Sequence, residues 1–247
     1  MAKGMTFRNW WSVLYPATCV CCGEPADPDR LVCPACAETF LRITPPFCPF
    51  CGVSLCDCRC RKRPHAYERV VAPYYYEGRV RDAILHMKFR GREDAAIPLA
   101  AAMQQVVEAQ YFDIPFDLIT CVPMSRDSYA RRGFNQAEAL ARRIHPDPVP
   151  GHPEPVFDGG LLTKKSGEQM QHFLGAEARR QNIRGALRLG NGRSVAGKTI
   201  LLVDDIVTTG ATAGECAGIL RLHGAKAVYV ATAALTRNTG PQKVHKK

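Results

Sequence analysis

The sequence predicts an α/β protein whose mostly parallel sheet is flanked by helices and preceded by a small cysteine-rich module. Ten of the twelve cysteines lie between Cys19 and Cys60, in a stretch with few apolar residues for a core of its own. Beyond that stretch, short apolar runs alternate with segments of helical spacing, which is the order typical of a parallel sheet. One run, residues 200–203, is continuously apolar, as expected for a strand covered on both faces.

The length of 247 residues allows one large domain, or a medium domain with a small one. The basic run at residues 61–64 marks a boundary. We therefore expect three parts: an N-terminal segment with the cysteine module at 1–64, the α/β domain at 65–238, and a basic tail at 239–247.

The start of the chain lacks the apolar core and the cleavage site of a secretory signal, and no run approaches the length of a membrane span. We therefore expect a cytoplasmic protein without membrane insertion. In that compartment a group of cysteines indicates metal binding rather than disulfides.

The cysteine spacing predicts two structural zinc sites. Three Cys-x2-Cys pairs are present, and two of them are followed by glycine, the turn that lets two thiolates meet at one ion. In the last group the register is open, and Cys56 with Cys60 fits the usual ligand spacing better than Cys58 with Cys60, while Cys21 is left over. The expected ligands of the first site are Cys19, Cys22, Cys33 and Cys36, and those of the second are Cys48, Cys51, Cys56 and Cys60.

The elements of the α/β domain follow from the spacing of apolar residues. The first half contains a predicted strand at 69–76, helices at 80–89 and 97–109, a strand at 118–122 and a helix at 137–144.

The second half opens with a proline-rich loop at 145–160, in which Pro148-Val149-Pro150 could form an edge strand. Residues 161–178 are polar and have no clean period. A strand at 200–203, a helix at about 209–223 ended by Gly224, and a strand at 227–235 complete a parallel unit.

Two acids end the strand at 200–203, and a hydroxyl-rich turn and a helix follow them. Ligands of open α/β sheets bind at the carboxyl ends of the strands, and a helix N-terminus attracts phosphate. A phosphate therefore fits the turn, and the carboxylates are left for sugar hydroxyls or Mg²⁺. The acids are Asp204 and Asp205, and the turn consists of Thr208, Thr209, Gly210, Ala211 and Thr212.

This run resembles the PRPP-binding motif of type I phosphoribosyltransferases, in which two acids precede a Thr-Thr-Gly-x-Thr turn. The whole chain resembles the ComF family, which joins a double zinc ribbon to a phosphoribosyltransferase-like domain. Besides the turn, the match is carried by five runs: residues 85–91 (LHMKFRG), 122–126 (VPMSR), 131–136 (RRGFNQ), 171–174 (QHFL) and 180–186 (RQNIRGA). The resemblance implies a link to natural competence, the handling of incoming single-stranded DNA.

The resemblance also implies roles for basic residues. Arg126, with Arg131 behind it, is the candidate for holding pyrophosphate, because guanidinium groups suit phosphate oxygens. Lys88 is a further candidate phosphate ligand, although a lysine at a helix end is more often only solvated. The loop at 161–178 would close over the site and exclude water.

Two functions follow, and the sequence does not name an acceptor for the first. The first is an enzyme that uses PRPP and Mg²⁺ for phosphoribosyl transfer, or senses PRPP. The alternative is a non-catalytic accessory factor of transformation, which would bind single-stranded DNA or dock competence proteins through the ribbon. The net charge of +10 suits both a polyphosphate ligand and nucleic acid.

Overall fold

A computed structural model describes residues 16–60, 65–164 and 187–237 of the chain. The predicted N-terminal segment, the basic run at 61–64, most of the expected closing loop and the basic tail lie outside these ranges. The domain boundaries at 64 and 238 therefore stay predictions. Within the described ranges, every helix is too short or too polar to cross a membrane.

The main sheet is parallel throughout and confirms the predicted fold class. Its strands run in the order β1–β8–β7–β3–β4, and β2 also pairs with β8. The strands are β1 (Val70–Val71), β2 (Tyr74–Tyr75), β3 (Leu118–Cys121), β4 (Val156–Phe157), β7 (Thr199–Val207) and β8 (Ala227–Leu235).

Six α-helices lie within the described ranges. A single-turn helix, α1 (Pro34–Ala37), lies in the cysteine module. The others are α2 (Gly78–Phe89), α3 (Ala96–Tyr111), α4 (Arg126–Arg132), α5 (Gln136–Ala141) and α6 (Ala211–Leu222). Asn135 is the N-cap of helix α5, and its side chain accepts a hydrogen bond from the N–H of Ala137 at 3.1 Å.

Two of the predicted strands differ in detail. The expected strand at 69–76 is divided into β1 and β2, because Pro73 between them has no N–H for the ladder. The edge strand in the proline-rich loop is β4, not Pro148-Val149-Pro150. Beyond β4, the short strands β5 (Leu162–Lys164) and β6 (Leu187–Leu189) form a separate antiparallel pair.

The sheet separates two apolar cores, and β7 contributes to both. Its alternate residues Leu201 and Val203 belong to the core formed with α2, α3 and α5. Ile200 and Leu202 belong to the core on the other face, which α6 covers. This alternation of fully apolar faces is the reason why the strand reads as one continuous apolar run.

The cysteine module is built mostly of turns and packs directly on the domain. The N–H of Ile43 donates to the Pro73 carbonyl at 3.0 Å, and the N–H of Tyr75 donates to the Leu41 carbonyl at 2.9 Å. Phe40 meets the Tyr74 ring edge-on at 5.1 Å between centroids. The module therefore shares its core with the domain and does not stand apart from it.

Candidate functional site

The acid pair lies inside strand β7, not after it. The predicted strand end at residue 203 is wrong, because β7 continues to pair with β8 as far as Val207. On its other side, β7 pairs with β3 only up to Val203. Asp204 and Asp205 therefore extend beyond the neighbouring strand, where one edge of β7 is left without a β3 partner.

The two carboxylates are buried and linked. Asp204 is 8% exposed and Asp205 is 9% exposed. The N–H of Asp205 donates to Asp204 Oδ1 at 2.8 Å. Burial, together with the charge of Asp205, raises the pKa of Asp204 well above its usual range. Carboxylates kept in this state are costly for folding, which is typical of residues that are retained for a ligand.

Lys88 reaches the acid pair from helix α2. Its Nζ lies 2.6 Å from Asp205 Oδ2, with 19% of the lysine side chain and 13% of the aspartate side chain exposed. The structure therefore places Lys88 in the site, with a carboxylate as its partner. Its predicted role as a phosphate ligand stays a prediction.

The hydroxyl turn begins directly after β7 and presents its side chains to solvent. Thr208, Thr209 and Thr212 are exposed, while Gly210 is buried. Gly210 adopts a φ of +74°, which a residue with a side chain rarely adopts, and it forms the N-cap of α6. The turn therefore presents three hydroxyls to solvent next to the N-terminal N–H groups of α6, and both kinds of group suit a phosphate ligand.

A segment that follows the cysteine module covers the inner side of this turn. His65 and Tyr67 stack in parallel, with ring centroids 4.7 Å apart. A Cβ atom on Gly210 would lie 2.6 Å from the Tyr67 hydroxyl and 3.3 Å from His65 Cε1. Gly210 is therefore required by close packing as well as by its backbone angle. We call residues 65–67 the strap.

The predicted pyrophosphate arginines lie on α4, which follows the carboxyl end of β3. Arg126 and Arg131 are exposed, and Arg131 donates to Ser128 Oγ at 3.3 Å. Sequence reasoning gave no role to Phe89, which is 69% exposed and carries the Arg132 guanidinium 5.4 Å from its ring centroid. This contact links residues 85–91 and residues 131–136, which are two of the family runs outside the turn.

The structure brings the first four predicted zinc ligands together. The sulfur atoms of Cys19, Cys22, Cys33 and Cys36 all lie within 4.8 Å of one another. Burial raises the pKa of Cys19, but N–H groups that donate to its sulfur, led by that of Cys33, bring it down to about 6. A thiol that ionises at neutral pH is a ready metal ligand.

The second group corrects one predicted ligand. Its sulfur atoms belong to Cys48, Cys51, Cys58 and Cys60, and Cys56 is exposed outside the group. The reason is local: Leu55–Asp57 forms a 3-10 turn, which leaves Cys56 in solvent. Residues 58 and 60 follow in a more extended stretch, with their sulfurs 3.3 Å apart. The spacing argument failed because it ignored this turn.

Both groups fit zinc. A tetrahedral ion about 2.3 Å from each sulfur sets the sulfurs roughly 3.8 Å apart. One pair in each group agrees closely: 3.7 Å for Cys22 and Cys33, and 3.6 Å for Cys48 and Cys60. None of the twelve cysteines, all within the described ranges, forms a disulfide. Four thiolates leave no open position, so both sites are structural.

Comparison with known proteins matches two families to successive parts of the chain. The Double zinc ribbon domain family matches residues 10–68, and the Phosphoribosyl transferase domain family matches residues 94–247. DNA utilization protein YhgH of Escherichia coli (strain K12) is 32% identical over 216 residues, covering 86% of this chain and 87% of that protein. Competence protein ComFC of Bacillus subtilis (strain 168) is 28% identical over 221 residues, covering 85% and 86%.

A solved hypoxanthine phosphoribosyltransferase from Staphylococcus aureus is similar at a TM-score of 0.31 and 14% identity, over 60% of this chain and 69% of that one. A likeness this low supports no detail of the site.

Proposed function

We propose, from the premise that this chain belongs to the ComF family of double zinc ribbon proteins with a phosphoribosyltransferase domain, that it binds PRPP together with Mg²⁺ and transfers its phosphoribosyl group. The acceptor is a nucleophile whose identity the site does not specify. The names of two relatives, DNA utilization protein and Competence protein, support a role connected with DNA. We place that role in the cytoplasm as part of the proposal.

One observation carries the proposal: a buried acid pair leads within a few residues into an exposed hydroxyl turn at a helix N-terminus. The turn at residues 208–212 would hold the 5′-phosphate through N–H groups and hydroxyls. Asp204 and Asp205 would accept hydrogen bonds from the ribose hydroxyls. A sugar that carries phosphate on one side and free hydroxyls on the other fits this order of groups.

In the proposed reaction, the nucleophile forms a bond to C1 of the ribose as the bond from C1 to the pyrophosphate oxygen breaks. The electron pair of that bond leaves with pyrophosphate, and positive charge develops on the ring. The buried carboxylates would stabilise this charge through the hydroxyls that they hold. Arg126 and Arg131 would neutralise the leaving group, and Mg²⁺ bound to the pyrophosphate would supply further positive charge there.

A second candidate function, binding of single-stranded DNA without catalysis, is favoured by the surface around Phe89. An exposed aromatic ring with a guanidinium over it suits a stacked base. Tyr129 on the neighbouring helix α4 is also 51% exposed. Titrating an oligodeoxynucleotide at low and moderate salt tests this function, since affinity through phosphate contacts must fall steeply with salt. Unchanged binding by Phe89→Ala would exclude the platform.

Calorimetric titration with PRPP and Mg²⁺ tests the first function. We expect the zinc-loaded wild type to bind, and the Asp204→Asn/Asp205→Asn double variant to bind at least about tenfold more weakly. Glu154→Gln is the control, because this exposed residue precedes β4 at the opposite, amino-terminal edge of the sheet. Absence of binding by the wild type, or equal affinity of the double variant, would overturn the proposal.

A further inference from the structure

The contact between Lys88 and Asp205 links the acid pair to helix α2. The ammonium nitrogen lies 2.6 Å from Asp205 Oδ2, and both side chains are largely buried. Lys88 belongs to neither of the two family matches, which cover residues 10–68 and 94–247. The lysine therefore comes from the family run at residues 85–91, which lies between the two matched ranges.

Packing fixes the position from which Lys88 reaches the site. The buried face of α2 consists of Val80, Ala83, Ile84 and Met87, each at most 1% exposed. Near the end of this helix, His86 Nδ1 lies 2.9 Å from the Val20 carbonyl oxygen in the cysteine module. These contacts hold the last turn of α2 in place, so the ammonium is held at Asp205 from a rigid support.

Stability alone does not explain this ion pair. Removing two charges from water costs several kcal/mol per ion, and an apolar pair of similar volume is often as stable or more stable. The pair instead suits a site that holds a charged carboxylate largely buried from solvent. Its nearest partner is a fixed cation with a hydrogen-bonding proton, which holds the oxygen in one direction.

The same contact disfavours a metal ion on this carboxylate. Mg²⁺ binds carboxylate oxygens at about 2.0–2.1 Å and requires near-octahedral geometry. A divalent ion on Asp205 would therefore lie only a few ångströms from the ammonium. Like charges at this distance repel strongly near a protein surface, and a divalent ion is repelled more than a monovalent one.

We propose that Lys88 is the built-in counter-ion of the acid pair, a positioning residue that holds Asp205 for sugar hydroxyls with no divalent cation on either carboxylate. Asp204 Oδ1 accepts the N–H of Asp205, and Asp205 Oδ2 accepts the ammonium. The ribose hydroxyls then donate to the other oxygen of each acid. The inference rests on the proposed function, and it confines Mg²⁺ to the pyrophosphate of PRPP.

Ribose 5-phosphate is the probe for the sugar, because it carries the ribose hydroxyls and the 5′-phosphate but no pyrophosphate. The titrations use magnesium-free buffer without a chelator, so that the zinc sites stay loaded. We expect the wild-type affinity to change less than about threefold when millimolar Mg²⁺ is added. Lys88→Met should bind at least about tenfold more weakly without Mg²⁺ and recover in part with it, while Lys88→Arg should behave like the wild type.

A metal titration tests the same inference without any sugar. Mn²⁺ binding, followed by electron paramagnetic resonance, should be the same for the wild type and for Asp204→Asn/Asp205→Asn. Lys88→Met should gain one Mn²⁺ site per chain, because the ion replaces the lost ammonium, and Lys88→Met/Asp205→Asn should lose it again. If Lys88→Met does not fold, the comparison of Mn²⁺ binding between the wild type and the double acid variant still tests whether the carboxylates bind a divalent ion.

Three results would overturn the inference: wild-type Mn²⁺ binding that depends on the acids, no gain of Mn²⁺ by a folded Lys88→Met, or wild-type ribose 5-phosphate binding that requires Mg²⁺. The proposed function fails separately, if the wild type does not bind PRPP with Mg²⁺ present. The Mn²⁺ result stands in that case, because it reports only on the acids and the lysine.

Discussion

The two cysteine groups have the same chemistry but support different halves of the candidate site. The first group, Cys19, Cys22, Cys33 and Cys36, contributes to the core on the side of α2 and α3. The Val20 carbonyl oxygen in the turn that this group forms contacts the ring of His86, which lies two residues before Lys88. Arg92, just beyond α2, donates to the Thr18 hydroxyl at 3.1 Å and to the Thr18 carbonyl at 3.0 Å. This group therefore supports the helix that carries the counter-ion.

The second group, Cys48, Cys51, Cys58 and Cys60, packs on the other face of the sheet. Gly52 lies directly against the Val70 carbonyl of β1, with no room for a side chain. The Tyr75 hydroxyl donates to Asp57 Oδ2 at 2.6 Å. The strap at residues 65–67 follows this group in the chain and lies under Gly210. This group therefore supports the hydroxyl turn at residues 208–212.

The difference teaches that the ribbons stabilise the site through separate routes. An ion pair from α2 holds the acid half, and ring packing from the strap holds the turn. Loss of one metal should therefore loosen one half of the site and leave the other largely unchanged.

Removing one metal ligand at a time gives the largest expected effect. Cys22→Ser and Cys58→Ser should each lose one of the two zinc ions that the cysteine groups fit, measured by metal analysis. Hydrogen exchange should then rise by roughly tenfold or more, about 1.4 kcal/mol in opening free energy, in different places. Cys22→Ser should expose the amides of Gly78–Phe89, and Cys58→Ser those of Ala211–Leu222.

Cys56→Ser is the matched control, since this cysteine is exposed outside the second group. It should keep both zinc ions and the wild-type exchange pattern. Loss of zinc in Cys56→Ser, with retention in Cys58→Ser, would restore the ligand set that the spacing favoured. Equal loosening of both helices by either ligand variant would show that the two routes are not separate.

Adding a methyl group within the hydroxyl turn, on the side that faces the strap, gives an intermediate effect. Gly210→Ala forces a side chain into a φ of +74° and toward the Tyr67 hydroxyl, so we expect a loss of about 1 kcal/mol in the free energy of unfolding. Gly214→Ala should have the opposite sign, because the new Cβ lies 3.9 Å from His65 Nδ1 and alanine favours a helix by about 0.5–1 kcal/mol. Urea unfolding measures both.

Tyr67→Phe separates the two causes of the Gly210→Ala loss. Removing the hydroxyl should recover the steric part in the double variant and leave the backbone strain. If Gly210→Ala is as stable as the wild type, the strap does not constrain the turn.

Much of the fold and half of the site could be predicted, because both depend on local order in the sequence. The alternating apolar runs predicted the parallel sheet, and strand 227–235 was predicted to the residue. The acids and the turn are consecutive along the chain, so one run of residues shows them together. The first cysteine group was similarly visible as two Cys-x2-Cys pairs.

The rest depends on contacts between distant segments, which spacing does not reveal. Lys88 and Asp205 are far apart in the chain, and only the packing of α2 brings them together. The end of β7 was misplaced, because its pairing with β8 outlasts its pairing with β3. The choice of Cys58 over Cys56 depends on a short 3-10 turn that no periodicity marks.

The smallest expected effect concerns the buried charge in the acid half, and its sign is opposite to that of Gly210→Ala. Burial, then the charge of Asp205, raises the folded-state pKa of Asp204 above the ordinary value of 3.8. As the pH rises above about 4, the unfolded chain releases this proton while the folded chain retains it, so the contribution of Asp204 to stability falls with rising pH.

Asp204→Asn removes this penalty, because asparagine does not ionise. Its stability relative to the wild type should therefore increase between about pH 5 and pH 7.5, measured as urea midpoints with zinc present. Asp127→Asn is the control, because it makes the same chemical change at an exposed position. A flat difference for Asp204→Asn would mean that its carboxyl ionises normally in the fold. A variant that is more stable at neutral pH yet fails to bind PRPP would identify Asp204 as retained for its ligand at the expense of stability.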